Sequence, residues 1–173
     1  MAPSEPLRAR PSAAGPGRAP DLADQVTAVE SAITGVFRLA ASRRLHQARQ
    51  ERSGVKLSRT GWELLRRVDD LGPIRVSQLA EQLDLSLPVT SRALQRLDDD
   101  GLVTRQADPA DGRATRFVAT PAGGRARARI QQAMHEELAI VLSAWPELDR
   151  RLLAELLPRL VADMRAGSST TAP

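Results

Sequence analysis

The sequence predicts a mainly helical chain carrying one small β-hairpin, and three observations predict it. Apolar residues recur at spacings of three and four along most of the chain. In the middle, two short helical patterns are separated by only three residues, Asp84-Leu85-Ser86. Directly after them, two β-prone runs flank a segment rich in Asp, Pro and Gly.

The elements follow in order. Residues 1–20 are rich in Pro, Ala, Gly and Arg with almost nothing to bury, and are expected to be a disordered tail. A first helix should begin at Asp21 as its cap, with Asp24 in the first turn, and run to about Arg52. Val26, Val29, Ile33, Val36 and Ala40 form a seam along it suited to another helix. SGVKLSRT breaks it, and a second helix covers roughly Arg59 to Leu71. Thr120-Pro121 starts a late helix, with a capping hydroxyl and then Pro at the first helical position; Ile130, Met134, Leu138, Val141 and Leu142 are its apolar face. WPELD turns the chain. Leu148, Leu152, Leu156, Leu160 and Met164 then recur every four residues, with Leu153, Leu157 and Val161 widening the stripe. Pro158 lies inside this helix and should kink it. A stripe so wide suits helices that interleave with a second copy better than a monomeric bundle. Residues 166–173 read as a second disordered tail.

Composition excludes several classes. Cysteine is absent from the 173 residues, so there is no disulfide, thiolate metal site or cysteine redox switch. Two histidines leave little for zinc; His135 beside Glu136 and Glu137 lacks a second His nearby. No apolar run reaches the roughly 20 residues of a membrane span, and the N-terminal stretch lacks the apolar core of a secretory signal. A cytoplasmic protein without cofactor or metal is the expectation. No nucleophile with a base and no glycine-rich phosphate loop points to an enzyme. The net charge is +4, but residues 72–120 carry six Arg against seven acids. An argument for nucleic acid must therefore rest on where charges sit.

The middle of the chain supplies that argument. Val76 to Leu83 is a short helix with Val76, Leu79, Ala80 and Leu83 on one face. Ser86 caps the next helix, Pro88 lies in its first turn, and Gly101 closes it after about Asp100. Thr90, Ala93, Leu94 and Leu97 face inward; Leu87, Pro88, Ser91, Arg92, Gln95 and Arg96 face outward. Arg can fork onto guanine, Gln onto adenine, and an apolar group can touch a thymine methyl. Taken alone, Arg92 and Arg96 are equally a solvated face. Asp98-Asp99-Asp100 suit DNA only if that end of the helix points away from phosphate. The strands Leu102–Arg105 and Thr115–Ala119 then enclose the long loop QADPADGRA, a hairpin that reads as a wing. Its tip can enter a minor groove, with Arg113 as the contact and Asp111 accepting from Arg113 or Arg105 to hold them.

LDDDGLVTR followed by DPADGR and ATPAG resembles the MarR family of bacterial winged helix-turn-helix regulators, over about residues 22–165. The match places the wing motif on Asp108, Asp111 and Arg113 and the strand arginine on Arg105, with Arg116 beyond it; SQLAEQL and LSLPVTSRALQRL match the two reading-head helices, apart from Leu87 and Pro88, where the family often has polar residues. The resemblance implies a winged helix-turn-helix that is mainly α with a small β-wing, and dimeric through helices from both termini. Residues 21–56 and 121–165 would supply the dimerisation helices and 57–120 the DNA-binding region. Val26, Val29, Ile33, Leu152, Leu156 and Leu160 would line the dimer interface. It further implies a homodimer on double-stranded DNA, each subunit reading half of an inverted repeat, usually as a repressor of neighbouring genes. Many members release DNA on binding a small aromatic or lipophilic ligand, and a bacterial location on the nucleoid follows. Trp62, one of four aromatics, with Arg43 and His46 could form an aromatic wall with a cation for such a ligand; equally, Trp62 is core. The alternative from another class is a winged-helix scaffold for protein contact, without an operator.

Overall fold

The computed structural model describes residues 21–170, except the side chains of Gly112, Arg113 and residues 168–170; the expected N-terminal tail, residues 1–20, and residues 171–173 of the expected C-terminal tail fall outside it. The chain divides into two units after Ser42. The first holds α1, Leu22–Ala40, whose cap is Asp21: its carboxylate accepts the Asp24 N–H at 3.0 Å. Val26 and Val29 are exposed on it, and Ile33 is partly covered.

The helix expected to run from Asp21 to about Arg52 is two helices, α1 and α2 (Arg43–Ser53). The Ser42 N–H bonds back three residues to the Leu39 carbonyl at 2.9 Å, closing the last turn tightly. Ser42 itself stands just before α2, where a hydroxyl residue is favoured.

The second unit continues with α3 (Arg59–Leu71), β1 (Ile74–Arg75), α4 (Val76–Gln82), α5 (Leu87–Asp99), β2 (Val103–Asp108), β3 (Asp111–Ala119), α6 (Pro121–Ser143) and α7 (Glu147–Thr170). The three strands form an antiparallel sheet in the order β1-β3-β2. α3 begins at Ser58, whose hydroxyl accepts the Gly61 N–H at 3.0 Å. Leu64, Leu65 and Val68 on α3 meet Leu79 on α4, Leu94 and Leu97 on α5, Val103 and Phe117 on the sheet, and Ala126 and Ile130 on α6 in one buried core. The reading head is thus packed from every element around it rather than resting on helix propensity.

α6 is pinned at its start to the base of the hairpin. Thr120 accepts the Gly123 N–H at 3.1 Å and donates its hydroxyl to the Gly101 carbonyl at 2.7 Å, while its own N–H bonds the Leu102 carbonyl at 3.0 Å. The approach is so close that a Cβ on Gly123 would lie 2.0 Å from the Leu102 carbonyl oxygen. Further along α6, Arg127 bridges Asp69 and Asp70 of α3 at 2.5 and 2.6 Å, and Glu137 is held by Arg49 and Arg52 of α2 at 3.0 and 2.9 Å.

α7 passes through Pro158 as one helix and continues to Thr170, so residues 166–170, expected in the tail, are helical. Leu138, Ile140 and Val141 on α6 and Leu148, Leu152, Leu156, Leu157 and Met164 on α7 are exposed; Leu160 is partly covered. Among the described residues no helix is long and apolar enough to cross a membrane.

Candidate nucleic-acid interface

α4, the connector and α5 form the helix-turn-helix. The connector turns at Asp84, whose φ of 50° is a left-handed conformation that Asp tolerates better than most residues. The Leu85 N–H closes the turn onto the Ala80 carbonyl at 2.9 Å. Ser86 occupies the cap position of α5, but its hydroxyl makes no capping hydrogen bond, which corrects the expected cap. Pro88 in the first turn removes one N–H that would need a partner. Past α5, Gly101 takes the left-handed conformation that closes the helix, with φ 68°.

α5 is two-sided. Thr90, Leu94 and Leu97 are buried, and the Thr90 hydroxyl donates to the Ser86 carbonyl. Leu87, Pro88, Ser91, Arg92, Gln95 and Arg96 are all exposed, as expected, and Val89 adds an exposed apolar group beside them that the sequence pattern did not single out. An exposed face with apolar groups at the helix N-terminus and guanidinium and amide groups beyond it can offer every contact that a base edge accepts.

The wing differs from its sequence reading in a useful way. Its ladder runs past the expected strand to Gln106 opposite Arg116 and Ala107 opposite Thr115, then shifts register so that Asp108 stands opposite Asp111, with residues 112–114 bulging from β3 near the tip. β1, a third strand, pairs Arg75 with Arg116. Asp108, expected among the wing residues at the DNA, is 2% exposed and anchors the hairpin from inside. One of its oxygens accepts Arg116 Nε at 2.8 Å and Arg75 Nε at 2.5 Å; the other accepts the Ala110 N–H at 2.9 Å. The hydrogen bonds from Arg116 first, and then Arg75, hold the Asp108 carboxyl well below the usual carboxylate range, and Asp108 in turn raises Arg75. Asp108 thus positions Arg75 and Arg116. Arg105 turns to α5: its Nε donates to Asp98 at 2.9 Å and its Nη2 to Oε1 of the Gln95 side chain. Arg75 was missed because its partner lies 33 residues away and no local pattern marks it. The Arg113 side chain lies outside the described residues.

The three residues expected to line a ligand site have different surroundings. Arg43 is exposed on α2. His46 Nε2 lies 2.8 Å from Gln50 Nε2, and Gln50 donates to the Leu57 carbonyl at 2.7 Å. Trp62 is partly buried against the core. Among the described residues no group of three or more His, Cys, Asp or Glu could hold a metal.

This arrangement has close counterparts. The model of the MarR family matches residues 57–115, the stretch from α3 into the wing. The HTH-type transcriptional regulator YxaD of Bacillus subtilis is 34% identical over 111 residues, spanning 64% of this chain and 77% of its own. The chain belongs to the MarR family. It is therefore a transcriptional regulator of the DNA-binding kind. Among solved structures, a probable transcriptional regulator from Pseudomonas aeruginosa is 30% identical, with 74% of this chain and 96% of that one aligned at a TM-score of 0.55. A MarR transcriptional regulator from Methanosarcina mazei Go1, at 23% identity, shares the fold with a TM-score of 0.63 over 81% of this chain and 98% of its own.

Proposed function

We propose that this MarR-family regulator acts as a homodimer on an inverted-repeat operator, each subunit placing the N-terminal half of α5 in a major groove and the hairpin tip against the neighbouring minor groove. The observation that carries this reading is the two-sidedness of α5, anchored by Leu94 and Leu97 and exposing Ser91, Arg92, Gln95 and Arg96. Arg113, at the tip, is the minor-groove contact, and the Asp108 anchor supports it by fixing the strands on either side. The acidic end of α5 faces away from phosphate. The second copy covers the apolar side chains that α1, the far half of α6, and α7 leave exposed, since patches of that kind on a single chain mark interfaces.

The regulatory half of the reading is repression of neighbouring genes, relieved when a small aromatic or lipophilic molecule binds near Arg43, His46 and Trp62. Its support is membership of the family, with the protein working in the bacterial cytoplasm on the nucleoid.

Selection of binding sites from random duplex DNA with the full chain tests the DNA reading. An inverted repeat with half-sites about 10 base pairs apart is the expected product, together with a dimer in solution. A monomer, or a pool that stays random, would overturn it and leave the winged helix as a scaffold for protein contact. Benzoate, an aromatic carboxylate, is a first probe for release: a rise in melting temperature with loss of operator binding supports a ligand-gated repressor.

A further inference from the structure

We infer that Arg105 is a positioning residue for base recognition by Gln95, and does not itself contact DNA. The inference rests on the proposal that α5 reads base edges. Gln95 is exposed on the outward face of α5, and its amide is engaged at both ends. The Gln95 carbonyl oxygen accepts from Arg105 Nη2, and its NH2 group donates to Asp99 Oδ1 at 2.7 Å. Arg105 is itself held from two further sides. Its Nε donates to Asp98 Oδ2 at 2.9 Å, and its guanidinium stands 5.5 Å from the centroid of the Phe117 ring, across the β2–β3 ladder.

The chemistry of these neighbours decides which way the amide points. A free glutamine amide has two orientations, related by a half-turn, that exchange its oxygen and its NH2. A guanidinium has only donors and a carboxylate only acceptors. With Arg105 on one side and Asp99 on the other, only the orientation that gives oxygen to Arg105 and NH2 to Asp99 satisfies both. Each end still has capacity, because the oxygen keeps a second lone pair and the NH2 a second hydrogen. That remaining pair of one acceptor and one donor is what adenine requires of a glutamine. Ordering the amide before DNA arrives also removes an entropy cost from binding. The wing strand therefore acts on α5 through Arg105, and Asp98 and Asp99, which look out of place near DNA, serve as the fixed acceptors of the device.

The test compares full-length wild type with Gln95→Ala, Arg105→Lys and Arg105→Ala on the operator selected from random DNA. Every single base-pair change is measured at two salt concentrations. Gln95→Ala identifies the base pair read by Gln95 as the one whose preference flattens. Both Arg105 variants are expected to reduce discrimination at that same base pair by about tenfold, within the usual worth of a bidentate base contact, leaving other positions and the salt dependence unchanged. Lysine retains the charge and the fold but cannot span Asp98 and Gln95 with one planar fork. A phosphate contact gives the opposite pattern: Arg105→Lys binds like wild type, and Arg105→Ala loses affinity evenly on all sequences with a salt slope lower by about one. That pattern overturns the inference, as does a Gln95→Ala variant that flattens no position; both leave the DNA-reading proposal standing. A wild-type chain that selects no sequence at all overturns both.

Discussion

Gly123 and Gly124 are consecutive residues in the first turn of α6, and the structure predicts opposite effects when each is replaced by alanine. In a helix, alanine is favoured over glycine by about 0.8–1.0 kcal/mol. At Gly124 nothing opposes that gain, because the added Cβ meets only Asp69 Oδ1 at 3.8 Å, an ordinary contact. At Gly123 the Cβ would lie 2.0 Å from the Leu102 carbonyl oxygen, 3.0 Å from its carbon and 3.1 Å from Leu65 Cδ1. The obstruction is backbone, so no rotamer change relieves it, and α6 must move by about 1 Å. That movement disturbs the Thr120 cap and its bonds to Gly101 and Leu102. Overpacking costs about 1–3 kcal/mol and a lost cap about 1 kcal/mol. Set against the helix gain, Gly123→Ala should destabilise by about 2 kcal/mol and Gly124→Ala should stabilise by up to about 1 kcal/mol. For a chain of this size the first corresponds to a fall in Tm of about 4–8 °C. Denaturant and thermal melts at one fixed protomer concentration read both values, since a dimer's stability depends on concentration. Equal stabilisation by the two substitutions would refute the close approach of α6 to the wing base.

Three further outcomes are expected. The Arg49 hydrogen bond, aided by Arg52, lowers the Glu137 pKa, so the link between α2 and α6 is fully present above the ordinary glutamate value of about 4.3 and is lost as pH falls through the lower folded value; acid melts of Glu137→Gln should show a shallower loss of stability below pH of about 4, and an unchanged slope would contradict the link. Asp108→Asn should speed amide exchange through β2 and β3 and weaken operator binding while helical circular dichroism is retained; wild-type exchange rates in the wing would show that the anchor is dispensable. Ile33→Asp should give monomers or insoluble chains in ultracentrifugation, whereas a stable folded dimer would remove α1 from the interface.

Local signals located most of the fold. Ser58, Thr120-Pro121 and Gly101 are punctuation that acts within a few residues, and α3 spans Arg59–Leu71 and α6 starts at Pro121, as their caps indicate. The failures have longer-range or weaker causes. Ser42 interrupts a helical pattern without a glycine or proline, so the α1–α2 break left no trace in periodicity. The outer wing reads as loop because Gln106 and Ala107 are exposed and show no alternation; cross-strand pairing, not burial, makes them a strand. Asp108 and Asp111 are equivalent in sequence, and the placement of Arg116 on β3 and Arg75 on β1 makes Asp108 the buried anchor. On α5 the inward and outward faces were legible because helical periodicity separates them, but the engagement of Gln95 with Arg105 and Asp99 was not.

The central claim is that the outward face of α5 reads bases, and Arg92 tests it most directly. Affinities of wild type and Arg92→Ala are measured on the selected operator and on operators carrying single base-pair changes, at two salt concentrations. If Arg92 reads a base, the substitution costs about 1–3 kcal/mol on the operator and almost nothing further on the duplex whose contacted base pair is already changed. An equal loss on every duplex, or no loss on any, would show that this face does not read sequence.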